Sequence, residues 1–346
     1  MRRMPPKSPA APELPRATLE AVAFEAAVSV ATASKVLNDR PGVAPETRER
    51  VMQALRRNGY RKRGTERAYA PQIELVCESL DGEWAIQLVR GAVRVAHAHD
   101  LTVAVTESGV RHSVAPGWAK AVSLRQPAGV ILVASDMPPS DKFELRARNV
   151  PFVIVDPAGD PAPDVPSIGS TNWSGGKAAA RHLIELGHTR IGVIAGPDDL
   201  MATQARVDGF RSAMRAANLP IDDALIISEE FEMEASPEPG RRLLSRADRP
   251  TAIFATSDIK ALGAYEAARE LGINIPDELS IVGYDDLPVA RWAGPSLTTI
   301  RQPLQEMAQE AAKLVVRLRQ EPPLTVDRLE LMTSLVVRRS TAAPRA

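Results

Sequence analysis

From Ile73 onward the chain alternates between two hydrophobic periods. Short apolar runs of strand character (IELVC, LTVAVTE, AGVILVA and PFVIVD) are separated by stretches whose apolar residues recur every three to four positions, at 85–99, near Lys120 and at 142–149. A second series follows: RIGVIAG, ALIIS, TAIFATS and LSIVGYDD, with helical patterns at 174–186, 204–217, after Pro239 and at 258–271. Strand alternating with helix predicts parallel sheets covered on both faces, and two series predict two doubly wound lobes. Such sheets bind ligands outside the carboxyl ends of their strands, so the predicted site is the cleft between the lobes.

The first sixty residues follow a different rule. Leu19, Val22, Ala23 and Ala26 fall on one helical face, and Val51, Ala54 and Leu55 on another. Pro45-Glu46 reads as a helix start. Between these, the residues from Val28 to Asn38 read as a short, polar-faced helix after a tight turn. The pattern predicts a helix-turn-helix over 18–60, whose second helix is of the kind that enters the DNA major groove. Val30 and Ala31 offer apolar contact to thymine methyls, and Lys35 can reach guanine O6 or N7. Ser29 and Asn38 bound the same helix and join the DNA-facing candidates.

Two flanking segments carry no core pattern. Residues 1–17 are basic and rich in Pro and Ala, and read as a disordered tail with no apolar signal region. Residues 61–72, RKRGTERAYAPQ, read as a linker ended by Pro71, in which Arg61, Lys62, Arg63 and Arg67 suit phosphates.

Charge sharpens this division. The 346 residues carry 43 basic and 43 acidic side chains. Residues 1–67 hold fourteen basic and seven acidic, and the remainder 29 and 36. A basic head on an acidic body suits a DNA-binding domain joined to one that should stay off DNA. The single cysteine, Cys77, excludes an intrachain disulfide and a cysteine-rich zinc site, and reads as a buried strand thiol. No apolar run approaches membrane-spanning length, so a cytoplasmic location without membrane contact is expected.

Enzyme signatures are poor. Gly175-Gly176-Lys177 faintly resembles a phosphate loop, but Thr171 stands where its first glycine belongs and Ala178 where magnesium's hydroxyl belongs, so it reads as a helix start. His97 and His99, two apart on a helix, point to different faces, and His188 reads as a cap beyond the helix of His182. No nucleophile–base set, metal site or cofactor is expected.

The string TLEAVAFEAAVSVATASKVLN resembles the N-terminal signature of the lactose-repressor (LacI/GalR) family. The likeness continues, in order, through APETRERVMQALRRNGY, HLIELGHTRIGVIAGP, RVDGF, PTAIFATSDIKALGAYEAARELGINIPDELSIVGYDDLP and PSLTTIRQPLQEMAQEAAKLV. The resemblance implies a headpiece joined to a two-lobed, periplasmic-binding-protein-like body at 73–340. Lobe one would span about 73–157 and 303–320, and lobe two about 165–300 and 325–340, with the final strands completing lobe two. It implies that Val30, Ala31 and Lys35 read bases, and that Thr18 and Ser34 contact phosphate. It implies effector contacts at Asp156, Arg206, Phe231, Ser257 or Asp258, and Asp285.

From the residues themselves, carboxylates and an arginine fork suit vicinal hydroxyls. Phe231 and Trp84 could stack on sugar faces from two cleft loops. The chain departs from the family pattern at Ala27, where a turn glycine is usual, at Lys35 for arginine, and at Ser257, where many relatives have Asn. The linker lacks the Leu-Ala pair that wedges into the minor groove, and Tyr69 is its one large apolar side chain.

The function expected is a DNA-binding transcriptional regulator, a repressor acting as a homodimer on a near-palindromic operator. Its expected effector is a mono- or oligosaccharide. The alternatives are a regulator responding to a nucleobase or nucleoside, a solute-binding protein for sugar uptake, and a sugar- or nucleotide-handling enzyme. No heptad repeat follows Ser340, so a dimer is expected and not a coiled-coil tetramer.

Overall fold

A computed structural model describes residues 18–37, 42–57, 69–80, 82–229, 235–320 and 328–345. They fall into two compact units, the second beginning at Tyr69.

The first unit has three helices: α1 (Leu19–Glu25), α2 (Val30–Leu37) and α3 (Pro45–Arg57). Val22, Ala23, Ala26, Ala33, Val36, Val51, Ala54 and Leu55 close its core. Three short helices suffice because their apolar stripes converge on one small cluster, most of it alanine and valine.

The second unit opens with β1 (Ala70–Cys77), α4 (Glu83–Ala98), β2 (Thr102–Glu107), α5 (Trp118–Arg125), β3 (Pro127–Val133), α6 (Pro139–Ala147), β4 (Phe152–Val155) and β5 (Ser167–Ser170). Next come α7 (Asn172–Glu185), β6 (Ile191–Ala195), α8 (Met201–Ala216), β7 (Ile226–Ser228), α9 (Glu238–Leu244), β8 (Ala252–Ala255), α10 (Asp258–Glu270), β9 (Ser280–Asp285), α11 (Val289–Trp292) and β10 (Thr298–Arg301). The chain ends with α12 (Leu304–Gln320), β11 (Arg328–Leu331) and β12 (Ser334–Val336). Two six-stranded sheets result, ordered β11-β5-β4-β3-β1-β2 and β12-β10-β9-β8-β6-β7. β12 runs antiparallel to β10 and the other pairings are parallel. Every residue of β3, β4, β6, β8 and β9 is buried, the mark of sheets covered on both faces.

The expected two-lobed α/β body is present, but its lobe boundaries differ from those expected. β5 and β11 both belong to the first sheet, where they pair with one another in parallel. Residues from 165 and from 325 had been expected in the second lobe. The sequence hides this because SIGS is four residues with little apolar character, and RLEL is a largely exposed edge. β1 also starts earlier than expected, inside the linker range 61–72. Pro71 is tolerated there because the register shifts between Ala70 and Ile73, where a missing N–H breaks no regular ladder. Tyr69 is part of the second unit, with the Arg319 guanidinium 4.4 Å above its ring, which argues against a free wedge. Residues 61–68 lie outside the described residues.

Among the described residues the chain therefore passes between lobes three times: after Ser170, after Arg301 and after Leu331. Side chains tie these crossings together. Thr333 N donates to Thr171 Oγ1 at 3.0 Å, Thr333 Oγ1 donates to Thr171 O at 3.2 Å, and Gln302 Nε2 donates to Ser170 Oγ at 3.1 Å. α12 packs into the first lobe through Met307, Ala308, Ala311, Ala312 and Val315. A Cβ at Gly91 would stand 2.2 Å from Gln305 O, so glycine sets the close approach of α4 to α12.

Candidate functional site

In the first unit, Thr18 caps α1, its Oγ1 accepting from Ala21 N at 3.2 Å. Ser29 closes the start of α2, its Oγ accepting from Thr32 N at 3.1 Å. Ala33 and Val36 face inward, while Val30, Ala31 and Lys35 are exposed and Ser34 is half-buried. The three base-reading candidates thus share the side of α2 that turns away from the core. Ala27 holds the turn before α2 at φ 52, a left-handed conformation that glycine adopts without strain. Asn38, Arg61 and Lys62 lie outside the described residues.

In the second unit, the carboxyl ends of both sheets open on a cavity of about 480 Å³. Glu78, Glu83, Trp84, His112 and Asp156 line it from the first lobe; Arg206, Glu229, Ser257, Lys260, Asp285 and Trp292 line it from the second. Four wall residues that are not glycine have positive φ: His112 (51), Ala134 (47), Asp156 (51) and Asp285 (109). Each such conformation costs on the order of 1–3 kcal/mol, and they cluster where the chain leaves the sheet to form a site.

Arg206 sits on α8 and is 5% exposed. Its Nε donates to Asn172 Oδ1 at 2.8 Å, its Nη1 to Thr256 O at 2.7 Å and its Nη2 to Gln302 Oε1 at 3.3 Å. The guanidinium lies 3.8 Å from the Tyr284 ring centroid. Nη1 is 3.7 Å from Asp285 Oδ1, a buried oxygen with no hydrogen-bond partner. Burial pushes the Asp285 carboxyl up to about 7, with the Asp156 charge adding to the rise and Arg206 opposing it. Asp156 is raised by its removal from bulk water, against the pull of Arg206 and of hydrogen bonds from Gln302 and Asn172. The result is a cation between two carboxyls from opposite lobes, each with capacity left for a polar ligand.

Glycines position this cation. Gly176 is the fifth residue of α7, and a Cβ there would stand 2.0 Å from Arg206 O. Gly209 of α8 approaches Trp173 O as closely. The Gly175-Gly176-Lys177 run therefore sets the α7–α8 crossing that carries Arg206, and forms no loop.

One cleft candidate stands differently from expectation and another is not described. Asp258 is fully buried and faces away from the cavity. Its Oδ1 accepts from Thr299 Oγ1 at 2.6 Å and its Oδ2 from Leu287 N at 2.7 Å, which ties α10 to the end of the second sheet. Burial and the neighbouring Asp285 charge raise its carboxyl well above the ordinary range. Phe231 lies outside the described residues. Ser257 does line the cavity while capping α10, its Oγ accepting from Lys260 N at 3.2 Å.

Other groups look structural. Burial pushes the Cys77 thiol up to about 11, with Glu107 adding, so it stays protonated. His188 closes α7 through its backbone N–H to Leu183 O at 3.1 Å, and its ring bonds Thr251, Ser280 and Ala342 O. Among the described residues no group of three or more His, Cys, Asp or Glu could hold a metal, and no helix is long and apolar enough to cross a membrane.

Sequence reasoning missed His112, Trp292, Lys260, Glu83 and Glu229. Trp292 had a signal: the logic that singled out Trp84, a rare aromatic in a strand-end loop, applies equally to the segment after GYDDLP.

Comparison with known proteins agrees with both halves of this description. Residues 18–62 match the model of "Bacterial regulatory proteins, lacI family", and residues 180–341 match "Periplasmic binding protein-like domain". The chain is 30% identical over 331 residues to the HTH-type transcriptional repressor CytR of Escherichia coli K12, covering 94% of this chain and 97% of that protein. It is 33% identical to the HTH-type transcriptional regulator CelR of Thermobifida fusca, with 94% and 98% covered. A solved complex of a transcriptional regulator CelR with cellobiose superimposes with a TM-score of 0.70 at 31% identity, covering 94% of this chain and all of that one.

Proposed function

This chain belongs to the LacI family of bacterial regulatory proteins, and we propose that it is a transcriptional repressor whose operator affinity is set by a saccharide held between the two lobes of its body. The observation that carries the effector half is the cleft of Arg206, Asp156 and Asp285. Polar capacity at its depth and indoles at its walls are the means by which proteins hold sugars. Cellobiose in the related solved complex supports the same class.

Each headpiece reads one half-site through Val30, Ala31 and Lys35, while Thr18 and Ser34 contact phosphate and Ser29 adds to the DNA-binding set; Asn38, Arg61 and Lys62, also assigned to DNA binding, lie outside the described residues. One three-helix headpiece offers few base contacts, so the functional unit is a homodimer on a near-palindromic operator in the cytoplasm. A saccharide bridging Asp156 and Asp285 favours one spacing of the lobes. The three tied crossings turn that preference into a change at the dimer interface, and so into the placement of two headpieces. No catalytic step is assigned.

A thermal-shift screen of the full chain against a saccharide and nucleoside panel tests the effector class, since a ligand of the native state raises Tm by mass action. A shift with saccharides is expected, and a shift confined to nucleosides would overturn it. Removal of residues 1–68 separates a regulator from a solute-binding protein: DNA binding is lost and saccharide binding stays.

A further inference from the structure

Arg111 belongs to the first lobe, in the loop after β2, yet its guanidinium reaches the second. Nη2 donates to Asp199 Oδ1 at 2.8 Å, in the loop after β6. Its Nε donates to Nε2 of the neighbouring His112 at 3.0 Å. An imidazole nitrogen that accepts a hydrogen bond carries no proton, so the ring proton of His112 sits on Nδ1. That Nδ1 is buried and without a hydrogen-bond partner, on a side chain 17% exposed that lines the cavity. Glu78 Oε2, on another wall residue, lies 3.8 Å from it.

Buried donors are rarely left unpaired in folded proteins, and those that are ask for an explanation. The backbone asks as well. His112 holds φ 51, kept there by its N–H to Glu78 Oε2 at 3.4 Å and by Asp136 N donating to its carbonyl at 3.0 Å. A strained residue of the cavity wall whose ring donor has no partner is organised for a ligand.

We propose that His112 contacts the effector through Nδ1–H, and that Arg111, held across the cleft by Asp199, is the positioning residue that keeps the proton there. The N–H and the Glu78 carboxylate form a donor–acceptor pair, which one hydroxyl satisfies by accepting from the first and donating to the second. A free imidazole side chain prefers its proton on Nε2. Without the Arg111 donor the ring reverts to that tautomer and the contact is lost. The hydroxyl rests on the saccharide reading; the placement of the ring proton does not.

The test is nitrogen NMR of the full chain labelled with 15N-histidine, at about pH 8, where model histidines are neutral. His112→Gln identifies the resonances among the five histidines. In the wild type, Nδ1 of His112 should be protonated and Nε2 bare. Arg111→Ala and Arg111→Lys should each move the proton toward Nε2, the lysine because it keeps the cation but loses the Nε donor. A wild-type His112 protonated on Nε2, or a tautomer unmoved by Arg111→Ala, overturns the proposal.

Calorimetry with a saccharide panel headed by cellobiose adds the ligand arm. His112→Gln and Arg111→Ala should each weaken binding about tenfold, the value of one hydrogen bond. Equal binding by wild type and variants refutes the contact. If no saccharide binds the wild type, the effector reading fails, and the NMR result still decides which nitrogen of His112 carries the proton.

Discussion

Arg206 donates to Gln302 at 3.3 Å, which joins the cleft's buried cation to one of the three segments that connect the lobes. Gln302 passes the contact on, donating to Ser170 at the end of the strand before the first crossing. Asn172, just beyond that crossing, accepts from both Arg206 and Tyr284. A ligand that pulls on the guanidinium therefore acts within one hydrogen bond of two lobe connections.

Arg206→Ala should lower saccharide affinity by about 2–5 kcal/mol, because buried partners are left unpaired. The same variant should lose folding stability by a similar amount, since Asp285 is left beside no cation. Arg206→Lys keeps the charge but not the fork, and should lose at least about tenfold in affinity with a smaller loss of stability. Calorimetry and urea unfolding separate the two effects. Wild-type affinity in Arg206→Lys would count against the cleft.

Asp285 makes stability depend on pH. Below about pH 4 the folded and unfolded chains both hold the proton. As pH rises, the unfolded carboxyl releases it first, while the folded one keeps it until about 7. The folded state then binds more protons, so stability falls through this window by on the order of a few kcal/mol and is level above it. Asp285→Asn lacks this slope. Urea unfolding of both proteins at about pH 5 and about pH 8 should show the wild type losing more on the way up. Parallel profiles would show that the carboxyl is ionised throughout.

How much of this was legible depended on the signal each feature leaves. The helix-turn-helix was readable because Leu19, Val22, Ala23 and Ala26, and then Val51, Ala54 and Leu55, fall at helical spacing and meet in one core. Arg206 was readable through family likeness, but its bonds to Asn172, Thr256 and Gln302 join residues far apart in sequence. Asp258 misled, because an acid at the head of a helix after a strand looks alike whether it faces the cavity or, as here, Thr299 and Leu287. β5 was missed and β11 was expected in the wrong lobe because pairing at a sheet edge needs little apolar sequence. His112 left no pattern at all, since its role comes from a backbone turn and a neighbour's reach across the cleft.

Ala27 should be a destabilising residue in the headpiece. A non-glycine residue in the left-handed region costs about 1–2 kcal/mol, partly offset by the lower entropy of the unfolded alanine chain. Ala27→Gly should therefore stabilise the headpiece by about 0.5–1 kcal/mol, measured as a rise in its unfolding midpoint. A lower midpoint would show that the turn is not left-handed in solution.

Lys35→Ala should cost about 1–3 kcal/mol on the operator and relax preference at one base pair of each half-site. Replacing Arg61 and Lys62 with Ala should weaken binding to operator and scrambled DNA alike and flatten its salt dependence. Titrations at several salt concentrations distinguish the two. If Lys35→Ala weakens both DNAs equally, α2 is not reading bases.

The link from cleft to DNA is tested most directly by titrating the full-length protein onto its operator with and without a saturating saccharide, in the wild type and in Arg206→Lys. The saccharide should change wild-type operator affinity by tenfold or more, about 1.4 kcal/mol of coupling, and should leave Arg206→Lys nearly unmoved although it still binds operator. A wild type that binds the saccharide and holds its operator with unchanged affinity would contradict the account.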